Sequence, residues 1–333
     1  MGKLRVLFIG GTGVISSACV REAVAGRDIE LYVLNRGRSA TWGVPDGVTE
    51  LRGDVREAAS VRKAVAGLDF DSVVEFVAFT PDHVRADLDL FRERAGQYVF
   101  ISTASAYQTP PSRLPVTEST PLRNPYWQYS RDKIACEDLL VGEYRDNGFP
   151  ATIVRPSQTY DATKTVLSGG WTSLARMLAG KPVIVHGDGT SLWTVTHNTD
   201  FARAFVPLLG HPRTVGEAFH ITSDDVLTWD QIAYALGAAL GVTPRIVHVP
   251  SDVIAAHDPE WGAGLLGDKT HSMVFDNSKV KSLVPGWHAV VPFERGAREI
   301  VRWYTEEPSR QVVNHKLDAL MDKLAADFAT PTP

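Results

Sequence analysis

The chain has 333 residues, of which 44% are hydrophobic and 22% are charged, and its formal net charge at pH 7 is −5. This composition is typical of a globular protein with a large core, and the mild acidity excludes nucleic acid or an anionic membrane as the expected main partner. No stretch approaches the ~20 apolar residues that cross a bilayer, and the first residues lack a signal-peptide layout, so we expect a cytoplasmic protein with no membrane partner.

The first half of the chain alternates between apolar runs and amphipathic segments. Apolar runs without inside–outside alternation predict strands of a parallel sheet that is buried on both faces. The predicted strands are residues 4–9, 30–34, 72–76, 98–101 and 152–154, and the predicted helices between them are 14–25, 56–66, 81–94 and 126–147. The fold class is therefore α/β, with a Rossmann-type doubly wound parallel sheet whose ligands bind beyond the carboxyl ends of the strands.

After about residue 156 this rhythm breaks. Glycine-containing loop signals separate shorter predicted helices at 200–209 and 229–240. We therefore predict two domains: a dinucleotide-binding Rossmann domain at 1–156, and a smaller mixed α/β substrate-binding lobe at 157–330 with some elements returning to the sheet. A last helix at 311–328 has an apolar stripe for core docking or a subunit contact, formed by Leu317, Leu320, Leu324 and Phe328.

The stretch LFIGGTGVIS joins the first predicted strand to the first helix. Gly10, Gly13 and Ser16 occupy the three positions of a dinucleotide-binding glycine turn, in which the first two glycines permit the turn and the approach of a pyrophosphate to the helix N-terminus. The third position serves helix–strand packing, where a serine is tolerable. A tight turn without a ligand is the alternative. The predicted cofactor contacts here are Gly10, Thr12, Gly13, Val14 and Ile15.

The end of the second strand should meet the adenosine ribose of that cofactor. Asn35 and Arg36 stand there with Arg38 nearby, and no carboxylate is present to bond the 2′-hydroxyl of NAD. The arginines favour NADP slightly over NAD, although Asn35 can bond a plain ribose and the arginines can equally be solvated loop residues. Asp54 is predicted to accept from the adenine amino group. The other predicted cofactor contacts are Val55, Ala78 and Pro156.

Tyr129 and Lys133 are four residues apart and so share a face of one predicted helix. An ammonium beside a phenol favours the phenolate, which lets the tyrosine exchange a proton near neutral pH. The strand predicted at 98–101 leads into Ser102, Thr103 and Ser105, whose hydroxyls can hold a substrate alcohol against the tyrosine. A chance surface pair is the alternative for a Tyr-x-x-x-Lys spacing taken alone.

Together these motifs resemble the extended short-chain dehydrogenase/reductase family, the NAD-dependent epimerase/dehydratase group, from residue 4 to about 305. The matching pieces are GGTGVIS, GDV, the Ser-Thr strand end before Ala106 and Tyr107, YSRDK, RPSQTYD and GDGTSLWTVTHNTDFARAF. The resemblance implies that Tyr129 is the catalytic acid/base and that Lys133 lowers its pKa and bonds the nicotinamide ribose. It also implies that Thr103 binds the reacting hydroxyl.

Several positions depart from the family pattern and bear on the substrate. Gln158 stands where members acting on nucleotide sugars have an asparagine, and Trp193 where an arginine often clamps the diphosphate. Either other groups hold a diphosphate or the substrate lacks one. Ala104 and Ser105 replace the Asp–Glu pair of the 4,6-dehydratases, which argues against that reaction. The predicted substrate contacts are Thr103, Ser105, Gln158 and Trp193; Trp171 and Trp193 can stack on a base or sugar, or pack within the lobe.

The remaining candidates are weaker. The ten histidines form no metal-ligand pattern, so no metal is assigned, although His83, His186 and His197 lie near the motifs. We expect Cys19 and Cys136 to be buried, reduced thiols.

The functional expectation is an NAD(P)-dependent oxidoreductase that acts on a carbinol of a sugar or sugar-like small molecule, a nucleotide sugar or nucleoside. An epimerase with a transient keto intermediate is the favoured reaction, and an NADPH-dependent ketone reductase is the alternative. A non-enzymatic nucleotide-sensing or RNA-binding member of the fold is a third hypothesis. By resemblance, a homodimer would pair through the helices at 81–94 and 126–147.

Overall fold

The computed structural model describes residues 2–26, 28–37 and 42–328. Arg38 and the end of the second predicted domain, residues 329–330, lie outside the described residues. Seven parallel strands form the main sheet in the order β11-β6-β5-β4-β1-β2-β3. They are β1 Leu4–Ile9, β2 Ile29–Asn35, β3 Thr49–Arg52, β4 Ser72–Glu75, β5 Tyr98–Ile101, β6 Ala151–Pro156 and β11 Ala218–Ile221.

Helices cover both faces of this sheet, which confirms the predicted doubly wound α/β fold. On one face Phe8 and Val33 pack with Phe205, and on the other Leu7 packs with Val61 and Leu140. Successive residues of β1 are thus buried on opposite faces, as their unbroken apolar run predicts. The helices are α1 Val14–Ala25 and α6 Asn198–Phe205 on the first face, and α2 Ala58–Ala64, α3 Pro81–Phe91 and α4 Gln128–Asn147 on the second.

The second half of the chain forms a mixed lobe around its own aromatic core, and contributes β11 to the edge of the main sheet. Three two-stranded sheets pair β7 Gln158–Tyr160 with β10 Val195–His197, β8 Val183–His186 with β13 Ile246–Val249, and β9 Leu192–Trp193 with β12 Leu227–Thr228. The lobe helices are α5 Trp171–Leu178, α7 Trp229–Leu240, α8 Ser251–His257, α9 Pro259–Gly264, α10 Ser278–Leu283, α11 Phe293–Glu306 and α12 His315–Phe328. The predicted domain boundary at residue 156 stays a prediction.

Five predicted helices differ from the observed ones at one or both ends. Those expected at 56–66 and 81–94 are the shorter α2 and α3. The helix expected from 126 begins at Gln128, because Asn124 Oδ1 accepts the N–H groups of Tyr126 and Trp127 and closes a turn there. The helix expected at 200–209 starts two residues earlier and ends at Phe205, before a 3₁₀ turn at Val206–Leu208 that contains Pro207.

The last helix begins at His315 rather than 311, because residues Pro308–Arg310 form a separate 3₁₀ turn. Its Leu324 is buried against Ile184 and Val249, so this stripe docks on the core of the lobe, while Phe328 stays exposed. Within the described part of the chain, every helix is too short or too polar to span a membrane.

Candidate active site

A cavity of about 980 Å³ lies at the carboxyl edge of the main sheet, where a doubly wound fold binds its ligand. Its wall includes Gly10, Thr12, Gly13, Val14 and Ile15 of the turn after β1. By helix geometry the N–H groups of Val14 and Ile15, in the first turn of α1, have no intrahelical acceptor. Such donors at a helix N-terminus suit a phosphate, so these residues fit the pyrophosphate of a dinucleotide.

The glycine turn is held by close packing. Gly10 has φ +86°, and a Cβ there would lie 2.5 Å from Val77 Cγ1, so both the backbone and the space require glycine. Ser16 does more than pack at the third position, since its buried Oγ accepts the N–H of Gly13 at 2.8 Å and so caps α1. The unusual serine therefore stabilises the turn.

The far end of this cavity is lined by Asn35 and Arg36 after β2, and by residues that follow β3. Arg52, from β3, packs directly against Gly37: a Cβ on Gly37 would lie 1.7 Å from Arg52 Nη1. The Arg52 guanidinium also pairs with Glu50 at 3.1 Å. Asp54 and Val55 line the same wall, and Asp54 Oδ1 accepts the N–H of Arg56 at 3.0 Å. Contacts of these residues with an adenosine stay a prediction.

A second cavity of about 370 Å³ adjoins the first. The structure brings into its wall all three predicted catalytic residues, Thr103, Tyr129 and Lys133, and the predicted ligand contacts Ser105, Pro156 and Gln158. Six residues line both cavities and mark their junction: Ile15, Phe76, Phe79, Ile101, Thr159 and Lys164. A reaction between a cofactor and a substrate would take place at this junction.

A chain of hydroxyl groups runs behind Tyr129. The Thr103 hydroxyl lies beside the Tyr129 phenol and lowers the pKa of that phenol, and Thr103 Oγ1 lies 3.0 Å from Ser105 Oγ. Ser105 Oγ in turn lies 2.7 Å from Ser130 Oγ, and the Ser105 N–H donates to Thr103 Oγ1 at 3.2 Å. Because each hydroxyl is held by its neighbour, the Thr103 side chain is oriented toward the phenol before any ligand arrives.

The electrostatics of the Tyr–Lys pair are dominated by burial. Burial raises the pKa of Tyr129 to about 12, against the opposing effect of the Thr103 hydroxyl. Burial lowers the pKa of Lys133 to about 8. Lys133 Nζ donates to the carbonyls of Ala78 and Ile101, both at 2.7 Å, and lies 6.0 Å from the centre of the Tyr129 ring. The expected lowering of the Tyr129 pKa by Lys133 stays a prediction.

Trp193 corrects one expectation. It is 1% exposed and packs in the core of the lobe with Trp229, 6.1 Å between ring centres, and it lines neither cavity. The antiparallel pairing of β9 with β12 turns its side chain into the core. Trp171 likewise packs against Tyr304, at 5.2 Å. The side chain of Ala78 is buried in the sheet core, and its carbonyl, as the acceptor of Lys133, is the part of this residue that belongs to the site.

The histidines have local roles. Burial lowers the pKa of His186 to about 4, and its Nε2 lies 3.0 Å from the carbonyl oxygen of Lys269. His197 Nδ1 accepts the N–H of Thr199 at the start of α6, and His83 Nδ1 accepts that of Phe79. In the described ranges no three His, Cys, Asp or Glu side chains are grouped so as to hold a metal ion. Cys19 and Cys136 are free and buried.

The residues of the second cavity that sequence reasoning missed include Trp127, Lys164, Asp268 and Lys269. Asp268 and Lys269 belong to a π-helical turn, Leu265–Lys269, and form an ion pair at 2.7 Å. π-Helical turns are frequent at functional sites, but nothing in the local pattern marks this one. Trp127 could have been found, because it precedes Tyr129 by two residues and lies 4.9 Å from its ring.

Comparison with known proteins gives consistent matches. A model of the NAD dependent epimerase/dehydratase family matches residues 6–222. The 2'-dehydrokanamycin reductase of Streptomyces kanamyceticus is 29% identical over 98% of this chain and 91% of its own length. A UDP-glucose 4-epimerase of Streptomyces lividans is 32% identical over 45% of this chain and 50% of its own length.

The same fold occurs in the solved UDP-glucose 4-epimerase of Bifidobacterium longum in complex with NAD+ and UDP. That structure matches with a TM-score of 0.73 and 19% identity, over 92% of this chain and 100% of the other. The likeness extends over both the main sheet and the lobe.

Proposed function

Because this chain belongs to the NAD dependent epimerase/dehydratase family, we propose that it is an NADPH-dependent reductase that converts a ketone on a small sugar-like ring to the alcohol. Its relatives include named reductases and epimerases, so it is an enzyme of a family that uses NAD and acts on sugars and nucleotide sugars. The choice of reductase, of NADPH and of a small ring is the proposal.

The observation that carries the proposal is the charge at the adenosine end of the first cavity. Arg36 and Arg52 both line this end of the cavity, and the Arg52 guanidinium packs against Gly37, the residue after Arg36. Glu50 lines the same wall, and its carboxylate is paired with Arg52. Guanidinium groups attract the 2′-phosphate of NADP, whereas the 2′-hydroxyl of NAD offers them no charged partner. An enzyme that consumes NADPH as a reagent gains from this selectivity, whereas an epimerase regenerates its cofactor in each cycle.

Two further features support a substrate without a nucleoside diphosphate. The arginine that often clamps that group is replaced by Trp193, whose side chain is buried in the lobe and lies outside the cavity wall. The cavity that holds Tyr129 has a volume of about 370 Å³, small for a nucleotide sugar. The near full-length similarity to a 2'-dehydrokanamycin reductase, whose name includes no nucleotide, agrees with such a substrate.

The residues of the chain would act on the carbonyl oxygen. The nicotinamide of a bound cofactor supplies the reducing equivalent. Tyr129 donates its phenolic proton to the oxygen as negative charge develops there, and the Thr103 hydroxyl donates a hydrogen bond to the same oxygen. Ser105 and Ser130 keep Thr103 oriented. The Lys133 ammonium stabilises the phenolate left behind, and the apolar rings of Phe76 and Phe79 exclude water at the junction.

The test is the absorbance of NADPH at about 340 nm in the presence of purified protein and a set of keto sugars and aminocyclitol ketones. We expect steady oxidation with at least one ketone, faster with NADPH than with NADH, and slower by about 10²–10⁴-fold with Tyr129→Phe. Equal rates with the two cofactors would refute the cofactor assignment.

An epimerase is the second candidate, which the similarity to a UDP-glucose 4-epimerase over 45% of this chain favours. It predicts that the purified protein carries a tightly held cofactor and interconverts two epimers without added NADPH. Mass spectrometry of the small molecules released by denaturation detects such a cofactor, and the assay without NADPH detects the interconversion. If both are found, the epimerase replaces the reductase as the proposed function.

A further inference from the structure

Two carboxyl groups are buried together between the sheet and α3. Glu75 is the last residue of β4 and is 0% exposed, and Asp87 of α3 is 1% exposed. The two carboxyls are hydrogen-bonded to each other, and Asp87 Oδ2 also accepts the hydroxyl of Tyr98 at 2.7 Å. Among the residues that the structure describes, no lysine, arginine or histidine forms an ion pair with either carboxyl.

The pair must share a proton, because two carboxylates in contact inside an apolar core cannot both remain ionised. Burial raises the pKa of Glu75 well above its ordinary value and that of Asp87 to about 7. The two groups therefore titrate as a unit that carries at most one negative charge near neutral pH. Apolar residues of similar size would fill this space at lower cost, so packing does not explain the pair.

Glu75 acts on the backbone that follows it. Its Oε1 accepts the N–H of Val77, while the Val77 carbonyl accepts from the Arg56 guanidinium. The Val77 side chain packs on Gly10 of the glycine turn. The next carbonyl, that of Ala78, accepts from Lys133 Nζ at 2.7 Å. Through the Val77 N–H, Glu75 thus fixes the backbone of residues 76–79. Three of these residues, Phe76, Val77 and Phe79, line the first cavity.

We infer that the Glu75–Asp87 pair is a positioning device: it fixes the Val77–Ala78 backbone and, through the Ala78 carbonyl, holds Lys133 and one wall of the cofactor cavity in place. Glu75 is a positioning residue, since it contacts neither cavity. The inference requires that a nicotinamide cofactor binds in the first cavity, and it does not depend on which substrate is reduced.

The charge of the pair also acts on Lys133. Glu75 raises the pKa of Lys133 against the larger lowering by burial. The charged and titratable groups that face this region are Arg56 before α2, His83 and Asp87 of α3, Tyr98 of β5, and Lys133, Cys136 and Glu137 of α4. Of these, Cys136 and Glu137 act in the same direction as Glu75 on Lys133, and Arg56 opposes them.

The test measures cofactor affinity in variants of Glu75, by titrating NADPH against intrinsic tryptophan fluorescence. Glu75→Gln keeps an acceptor for the Val77 N–H and a donor for Asp87, so its Kd should stay within about threefold of wild type. Glu75→Ala loses the acceptor, and its Kd should rise about tenfold. The matched control is Ser72→Ala, at the other end of β4, which removes a buried hydrogen bond to Gln97 and should leave Kd unchanged.

Equal affinities of Glu75→Ala and Glu75→Gln, both folded by circular dichroism, would overturn the inference. A second variant decides if Glu75→Ala does not fold. Glu75→Leu fills the buried space with an apolar side chain but offers no acceptor to the Val77 N–H, so its Kd should also rise about tenfold. A Kd of Glu75→Leu equal to that of wild type would overturn the inference. If the protein prefers NADH, the titrations are carried out with NADH. Failure of the inference about Glu75 can therefore be distinguished from failure of the proposed NADPH preference.

Discussion

Two tryptophans should separate core packing from substrate binding. Trp193 is 1% exposed and packs with Trp229 in the lobe core, whereas Trp127 is partly exposed, lies 4.9 Å from the Tyr129 ring and lines the catalytic cavity. We compare Trp193→Ala with Trp127→Ala. Trp193→Ala should reduce the free energy of unfolding and leave substrate KM unchanged. Trp127→Ala should raise substrate KM and leave the free energy of unfolding nearly unchanged.

The magnitudes follow from burial. A buried tryptophan removes ~150–250 Å² from water, and truncation to alanine in a core costs ~3–5 kcal/mol. The buried Nε1 of Trp193 has no acceptor among the described residues, so no hydrogen bond is lost. Trp127 contributes an aromatic contact worth ~0.5–1.5 kcal/mol, and its removal from the cavity wall should raise substrate KM about tenfold.

Urea unfolding followed by circular dichroism measures the first quantity, and steady-state kinetics at a temperature where both variants are folded measures the second. The reasoning is wrong if Trp193→Ala raises KM as much as Trp127→Ala while its urea midpoint equals that of wild type. That pattern would return Trp193 to the substrate site, as the sequence predicts. The conservative Trp193→Phe, which keeps an aromatic ring in the core, should lose less stability than Trp193→Ala and have the same KM.

Four further outcomes are expected from the site. Tyr129→Phe should lower kcat by about 10²–10⁴-fold with NADPH Kd unchanged in fluorescence titration; a kcat within tenfold of wild type would exclude Tyr129 as the proton donor. Arg36→Ser should weaken NADPH about 10- to 100-fold and NADH hardly at all in calorimetry, and a parallel loss for both cofactors would exclude a contact with the 2′-phosphate. Because burial lowers the pKa of Lys133 to about 8, kcat/KM for NADPH should decrease as the pH rises through that value; a flat profile up to pH about 10 contradicts it. Ser130→Ala should reduce kcat a few-fold without changing NADPH Kd, since Thr103 loses the support that Ser105 relays; an unchanged kcat shows that the hydroxyl chain is dispensable.

The sequence by itself determined five of the seven strands of the main sheet, all except β3 and β11, and the edge at which the site forms. The α1 helix, Val14–Ala25, and the α7 helix, Trp229–Leu240, have the predicted bounds because their apolar spacing and end signals are local. Thr103 follows β5, and Tyr129 is in the first turn of α4, the next helix of the sheet. They meet because the helices of a doubly wound sheet begin at the edge where the strands end.

Tertiary structure alone decided which side chains face the ligand in the lobe and what lies beneath the site. Trp193 is turned into the core by the pairing of β9 with β12, which no local pattern encodes. Glu75, Asp87 and Tyr98 come from a strand, a helix and the next strand, and form one hydrogen-bonded cluster only when α3 packs on the sheet. A hydrophobic period specifies an element and its buried face, but the neighbours of a side chain across that face are set by how separate elements pack.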